Sequence, residues 1–229
     1  CPYGEKDASL ILDRTREISD WMLYRGADII VIACNTATAA AIAALREEYS
    51  SPSERVRMLS KGRRDHISFI GMEPAVKPAA LGTESGVIGV LATAGTLAGS
   101  KYLDMKSRFE DNVSIVEQVG QGFVELVEKG ILSGPEAEST VRSSVQPLLD
   151  AGADTIVLGC THYPFLRPLI EKIVGPGVKV IDPAPAVARR LSSVMAEDGI
   201  AMTSSGKPQI TLKSSGEPDA LERTFKLII

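Results

Sequence analysis

One nine-residue segment occurs twice in the chain, and each copy ends in a cysteine: residues 26–34 read GADIIVIAC and residues 152–160 read GADTIVLGC. Gly-Ala-Asp has the chemistry of a tight turn, with glycine free to take a positive φ. The apolar run that follows has no polar alternation, which marks a strand buried on both faces of a parallel sheet. Each strand delivers its thiol at the carboxyl end, and polar residues then open a helix, Asn35-Thr36 after the first and Thr161-His162 after the second. A repeat of this kind predicts two similar α/β lobes rather than a solenoid. Ligands of open parallel sheets bind beyond the carboxyl ends of the strands, so both cysteines fall where a site is expected.

The rest of the chain fits that frame. Its 229 residues are 44% hydrophobic and 24% charged, ordinary for a globular protein with a real core. A net charge of −4 argues against nucleic-acid binding through bulk charge. No apolar run is long enough to span a bilayer, and no signal-peptide pattern is present. Three cysteines without a CxxC or Cys/His spacing suit neither a disulfide framework nor a zinc site. A reducing, cytosolic setting is expected. The chain begins with Cys1, and a segment missing upstream is expected from that.

Apolar spacing predicts helices over 7–25, 36–49, 75–81, 122–129, 136–151 and 184–197, and one running from the Thr93–Thr96 turn through Phe109. Pro164 is placed in the first turn of another. Strands are expected at 29–33, 67–72, 86–92, 114–119, 155–159 and 179–181, with a last strand or edge at 210–213. The polar, basic stretch 53–66 reads as a solvated surface insertion. Strands alternating with helices mean parallel sheets with helices on both faces.

Free cysteine is among the most buried residue types, so either thiol alone reads as core. Repetition at equivalent positions favours a functional pair. A redox couple normally sets its thiols close in sequence, and a nucleophile gives no reason for a matching second lobe. Two-base isomerisation does: one group removes a proton from a stereocentre while an acid on the opposite face returns one.

Four segments carry a resemblance: Pro2-Tyr3-Gly4-Glu5-Lys6, Ala33-Cys34-Asn35-Thr36-Ala37, Gly89 to Thr96 (GVLATAGT), and Leu158 to Pro164 (LGCTHYP). Together they resemble the glutamate racemases of the cofactor-independent aspartate/glutamate racemase superfamily. The resemblance implies an α/β fold of two pseudo-symmetric lobes, each a mainly parallel sheet flanked by helices, with the active site between them. It assigns residues 1–78 plus 183–229 to the first lobe and 79–182 to the second. It implies interconversion of L- and D-glutamate, supply of D-glutamate for bacterial peptidoglycan, no cofactor or metal, and a possible homodimer. Aspartate racemase is the alternative within the superfamily.

By the same resemblance Cys34 takes the α-proton from D-glutamate and Cys160 from L-glutamate, each acting as acid in the other direction. Substrate binding falls to Tyr3, Gly4, Asn35, Thr36, Thr161 and His162. Thr93 and Thr96 either add an anion contact or simply cap a helix. His162 assists Cys160 or orients substrate, and Glu128 matches an acidic residue near the site, although Glu125 stands where proline is frequent. Relatives also begin with a strand ending in Asp-Ser-Gly that has no counterpart here. A truncated chain is therefore expected, with a noncatalytic binding remnant as the outcome if that strand is truly absent.

Overall fold

The computed structural model describes residues 3–4, 6–200 and 209–228. Pro2 and Glu5 of the first motif lie outside them. Helix α1 (Ala8–Tyr24) starts where the Asp7 side chain accepts the Ser9 N–H at 2.8 Å. It leads into β1 (Ile29–Ile32), α2 (Asn35–Glu48), α3 (Glu54–Leu59) and β2 (Ser68–Gly71). β1 and β2 pair in parallel as a two-stranded sheet. Its core gathers Ile11, Leu23, Ile30, Leu45, Tyr49 and Phe69 from α1, α2 and both strands.

The second sheet is parallel throughout, in the order β4-β3-β5-β6, from β3 (Val87–Ala92), β4 (Ser114–Val119), β5 (Thr155–Gly159) and β6 (Lys179–Ile181). Helices α4 (Val76–Gly82), α5 (Ala94–Leu97), α6 (Ser100–Lys106), α7 (Phe123–Glu128), α8 (Pro135–Asp150) and α9 (Arg167–Val174) surround it. Alternate side chains divide between its faces. Leu91, Ile156 and Leu158 join one core with Phe123, Val145 and Leu148, while Ile88, Val90 and Val157 join the other with Val76 and Tyr102. The chain leaves β3 toward β4 on one side and returns through β5 on the other. That reversal is the switch point at which open α/β sheets bind ligands.

Both copies of the repeat fold alike. Gly26 (φ 101°) and Gly152 (φ 83°) close the preceding helices, α1 and α8, in a conformation that side-chain-bearing residues rarely adopt. In each turn the following alanine N–H donates back to the helix, Ala27 to Met22 and Ala153 to Leu148. The aspartates then staple the segment leading into the neighbouring strand. Asp28 accepts from the Arg64 guanidinium ahead of β2, and Asp154 accepts from the Thr83 hydroxyl and the Glu84 and Ser85 N–H groups ahead of β3.

Burial pushes the Asp154 carboxyl up, but the Thr83, Ser85 and Glu84 donors outweigh it and hold the group at about 2. Its contribution is therefore present above the ordinary carboxylate value and is lost as pH falls toward 2. Asp154→Ala should cost about 1–2 kcal/mol near neutrality, read as a lower midpoint in chemical denaturation, and the gap to wild type should close in acid.

Three expectations are corrected. Residues 53–66 are not a solvated loop. They contain α3, bury Ser53, Val56 and Ser60, and direct Arg55 onto Asp20 and Arg64 onto Asp28. Arg55 and Arg64 thus serve the first lobe's own carboxylates, while Arg63 donates to the Ser60 and Leu23 carbonyls. The helix expected after Thr93 breaks at Ala98-Gly99 into α5 and α6: Ala98 ends α5 and Gly99 takes an extended conformation (φ −71°, ψ 135°) as the N-cap of α6, packed against Ala39. Residues 210–213 form no strand; Ile210 is 61% exposed, and two apolar side chains without a face to bury do not hold an edge. Helix α10 (Ala184–Glu197) packs beside β2, and α11 (Pro218–Ile228), which the periodicity reading passed over, closes the chain.

Candidate active site

β1 delivers Cys34 to the N-cap of α2, where its sulfur accepts the Ala37 N–H at 3.5 Å. Asn35 and Thr36 follow as the first helical residues, both buried. The Asn35 amide keeps its oxygen and its nitrogen buried without a hydrogen-bond partner. Leaving such a group unsatisfied costs about 1–3 kcal/mol, so the position is arranged for something other than packing.

β5 delivers Cys160, which is 8% exposed and belongs to the second lobe's core. Here the expected symmetry is incomplete. Thr161-His162 does not open an α-helix; a 3₁₀ turn (Tyr163–Leu166) intervenes, and α9 begins only at Arg167. Cys160 thus has no α-helical N-terminus beside it. Burial pushes its thiol up to about 11, the N–H groups of His162 and Tyr163 pull it back part of the way, and the neighbouring Cys34 raises it. That coupling puts the two sulfurs in one electrostatic environment.

His162 and Glu128 extend the Cys160 half. The imidazole Nδ1 lies 3.9 Å from the Cys160 sulfur, and Nε2 lies 2.8 Å from a Glu128 carboxylate oxygen at the end of α7. With Nε2–H donating to the carboxylate, Nδ1 is left as an acceptor facing the thiol. Carboxylate, imidazole and thiol form one hydrogen-bonded line. Glu125 takes no part in it.

The lobes meet beside the thiols. The Thr36 hydroxyl lies 3.1 Å from that of Thr93 and 3.3 Å from that of Thr96, which are 3.0 Å from each other. Thr93 is also the N-cap of α5, accepting the Thr96 N–H, so the capping role stands. The Gly95 N–H donates to the Gly4 carbonyl at 3.2 Å, and Tyr3 packs against the first lobe's core. Tyr3 and Thr161 flank the cluster along the chain; among the described residues, no side-chain hydrogen bond ties either to it. Nor is any group of three His, Cys, Asp or Glu there arranged to hold a metal ion.

Gly95 and Gly99 were not picked out in the sequence, because only the fold reveals what faces them. A Cβ on Gly95 would stand 2.7 Å from the Gly4 carbonyl and 3.1 Å from the Thr36 methyl. Gly95→Ala must therefore displace the Gly4 loop and crowd Thr36. Displacements of about 1 Å at a site can cost about 100-fold in rate, and a loss of that order in kcat/KM, with the melting temperature little changed, is the expected result.

The raised Cys160 pKa has its own signature. The folded state holds this proton more tightly than the unfolded chain, so its contribution is complete below about pH 9 and disappears as pH rises toward 11. Denaturation midpoints of wild type and Cys160→Ala should differ by an amount that changes across this alkaline window and stays constant below it.

Two thiols on equivalent parallel strands, one on a helix cap and one beside an imidazole–carboxylate pair, define a class by architecture: an α/β protein with paired cysteines just beyond the carboxyl ends of its strands. The chain belongs to the Asp/Glu/Hydantoin racemase family, whose model matches residues 3–191. It is 44% identical over 222 residues to a glutamate racemase of Roseiflexus sp., covering 96% of this chain and 75% of that one. A glutamate racemase of Pseudomonas putida is 43% identical over 228 residues, covering 99% and 80%. Among solved structures, Escherichia coli glutamate racemase in complex with L-glutamate and the activator UDP-MurNAc-ala superposes with a TM-score of 0.70 at 30% identity, covering 85% of this chain and 68% of that one.

Proposed function

We propose that the chain is a glutamate racemase that works by two-base proton transfer at Cα between Cys34 and Cys160. The observation that carries this reading is the delivery of two thiols to the carboxyl ends of equivalent parallel strands, one at the N-cap of α2 and one beside the His162–Glu128 pair. The close relatives named above support glutamate as the substrate. The two lobes divide ahead of α4 (Val76–Gly82), whose Val76 and Ala79 pack with the second sheet, and again near residue 182, and the site lies between them.

One thiol must be deprotonated and the other protonated for each turnover. With its pKa near 11, Cys160 rests as the thiol and is ready to donate when Cys34 has taken the α-proton of D-glutamate. In the opposite direction His162 accepts the Cys160 proton through Nδ1, and Glu128 stabilises the imidazolium that forms. The unpartnered Asn35 amide supports a role in holding a substrate carboxylate or ammonium. Gly4, Thr36, Thr93 and Thr96 surround the same side, with Tyr3 and Thr161 at its margins. Excluding water strengthens every one of these interactions at the moment the α-carbon carries negative charge. The family resemblance extends the reading to a cytoplasmic enzyme that supplies D-glutamate for peptidoglycan and to a homodimer.

The test incubates the protein with L-glutamate in deuterated water without pyridoxal phosphate. D-glutamate carrying deuterium at Cα is expected. Turnover of aspartate in place of glutamate would move the substrate to the other amino acid, and absence of racemisation with both would overturn the reading.

A further inference from the structure

His162 and Tyr163 are neighbours in the chain, and both reach α7, at opposite ends. His162 meets Glu128, the helix's last residue, at 2.8 Å. The Tyr163 ring lies edge-on to Phe123, the first residue, with ring centroids 4.9 Å apart. Its hydroxyl donates at 3.3 Å to the Gly120 carbonyl, which also accepts the Phe123 N–H that opens the helix. The Gly120 N–H is held in turn by the Ala92 carbonyl at the end of β3. A helix of six residues has little stability of its own. Its place is therefore set by what clamps it, and Tyr163 clamps its start.

The seat is cut for this side chain. A Cβ on Gly120 would stand 2.5 Å from the Tyr163 hydroxyl oxygen and 2.6 Å from Cζ. Gly120 does not take a positive φ, so the ring, not the turn, excludes a side chain there. Tyr163 is buried, and burial pushes its hydroxyl far above the ordinary tyrosine range. The hydroxyl keeps its proton and stays out of acid–base exchange, so its contribution is geometric. The Glu128 side chain, by contrast, is half exposed. Among the described residues His162 is its one hydrogen-bond partner, and the placement of α7 decides whether that contact is kept.

We propose that Tyr163, seated on Gly120, is a positioning residue for the Cys160 half of the site. By fixing α7 it holds the Glu128 carboxylate on Nε2 of His162, and so keeps Nδ1 unprotonated toward the thiol. The proposal rests on the role given above to His162 and Glu128, and extends it to a side chain outside the hydrogen-bonded line.

The test reads the resting protein first. His66 and His162 are the two histidines of the chain, and the ring signals of His162 are those that vanish in His162→Asn. Ring nitrogen NMR of isotope-labelled histidine, in mildly alkaline solution where an ordinary imidazole is neutral, should show His162 with its proton on Nε2. Glu128→Gln should raise the Nδ1–H form, because an amide donates as well as accepts. Tyr163→Phe and Gly120→Ala should move the same signals in the same direction. In turnover, Tyr163→Phe should lower kcat about five-fold with KM nearly unchanged. Tyr163→Phe/Glu128→Gln should stay within about two-fold of Glu128→Gln, since both changes act through one contact. Gly120→Ala disturbs the seat with the tyrosine intact, so it carries the test if Tyr163→Phe does not fold. Signals moved by Glu128→Gln but by neither seat variant, or losses in kcat that multiply in the pair, would overturn the proposal. Signals unmoved by Glu128→Gln would overturn it together with the role of Glu128. Absence of racemisation with the signals moved as expected would overturn the two-base reading and leave the positioning in place.

Discussion

Cys34→Ser and Cys160→Ser should each lower racemisation by about 1,000-fold or more, because a hydroxyl of far higher pKa replaces a thiol that, on the proposed two-base path, shuttles a proton in every turnover. The two losses should be similar although the residues sit differently, Cys34 on a helix cap and Cys160 in a core. A two-base path needs both groups, so removing either breaks it in both directions. Their combination should be far from additive: Cys34→Ser/Cys160→Ser should lie close to the single variants. Chiral chromatography of product against time reads the effect, with melting temperature as the control for folding. Wild-type rates in either single variant would exclude a two-thiol mechanism.

The next largest effect is expected at His162. Its imidazole is the only titratable side chain hydrogen-bonded to the Cys160 sulfur among the described residues, and Glu128 fixes its tautomer. His162→Asn should lower kcat by about 100-fold. Glu128→Gln keeps the shape but removes the charge that stabilises imidazolium, and about ten-fold is expected. A purely structural role for His162 would lower the melting temperature and leave the pH dependence of kcat alone. Participation in proton transfer predicts the reverse: an unchanged melting temperature, with the ascending limb of the pH–rate profile shifted toward alkali as Cys160 loses its local acceptor. The profile distinguishes the two.

Much of this arrangement was legible in the sequence because the decisive signals are local. The repeated turn, strand and cysteine appear in the fold as read: Gly26 and Gly152 take positive φ, and β1 and β5 end beside the two thiols. His162 and Glu128 each entered as site residues through resemblance and not from periodicity, and their pairing, far apart in sequence, is visible only in the fold. What stayed hidden depends on contacts between distant segments. The small residues at Gly95 and Gly99 matter only because Gly4 and Ala39 face them. Residues 53–66 looked like a solvated insertion because charge alone does not disclose that Asp20 and Asp28 await those arginines. The 3₁₀ turn after Cys160 was also missed, and with it the asymmetry between the thiols. Equivalent strands imply equivalent sites, yet Cys34 caps a helix while Cys160 is buried and its thiol is raised.

That asymmetry gives the sharpest test of the central claim, that the two thiols address opposite faces of one carbon. In deuterated water each single serine variant retains one thiol and hence one half-reaction. Cys160→Ser, with Cys34 intact, should exchange the α-proton of D-glutamate and leave L-glutamate unlabelled. Cys34→Ser should do the opposite. Proton NMR of the Cα position, recorded for each variant with each enantiomer, should show this mirror-image pattern without inversion. Exchange of both enantiomers by the same single variant would contradict the two-thiol account.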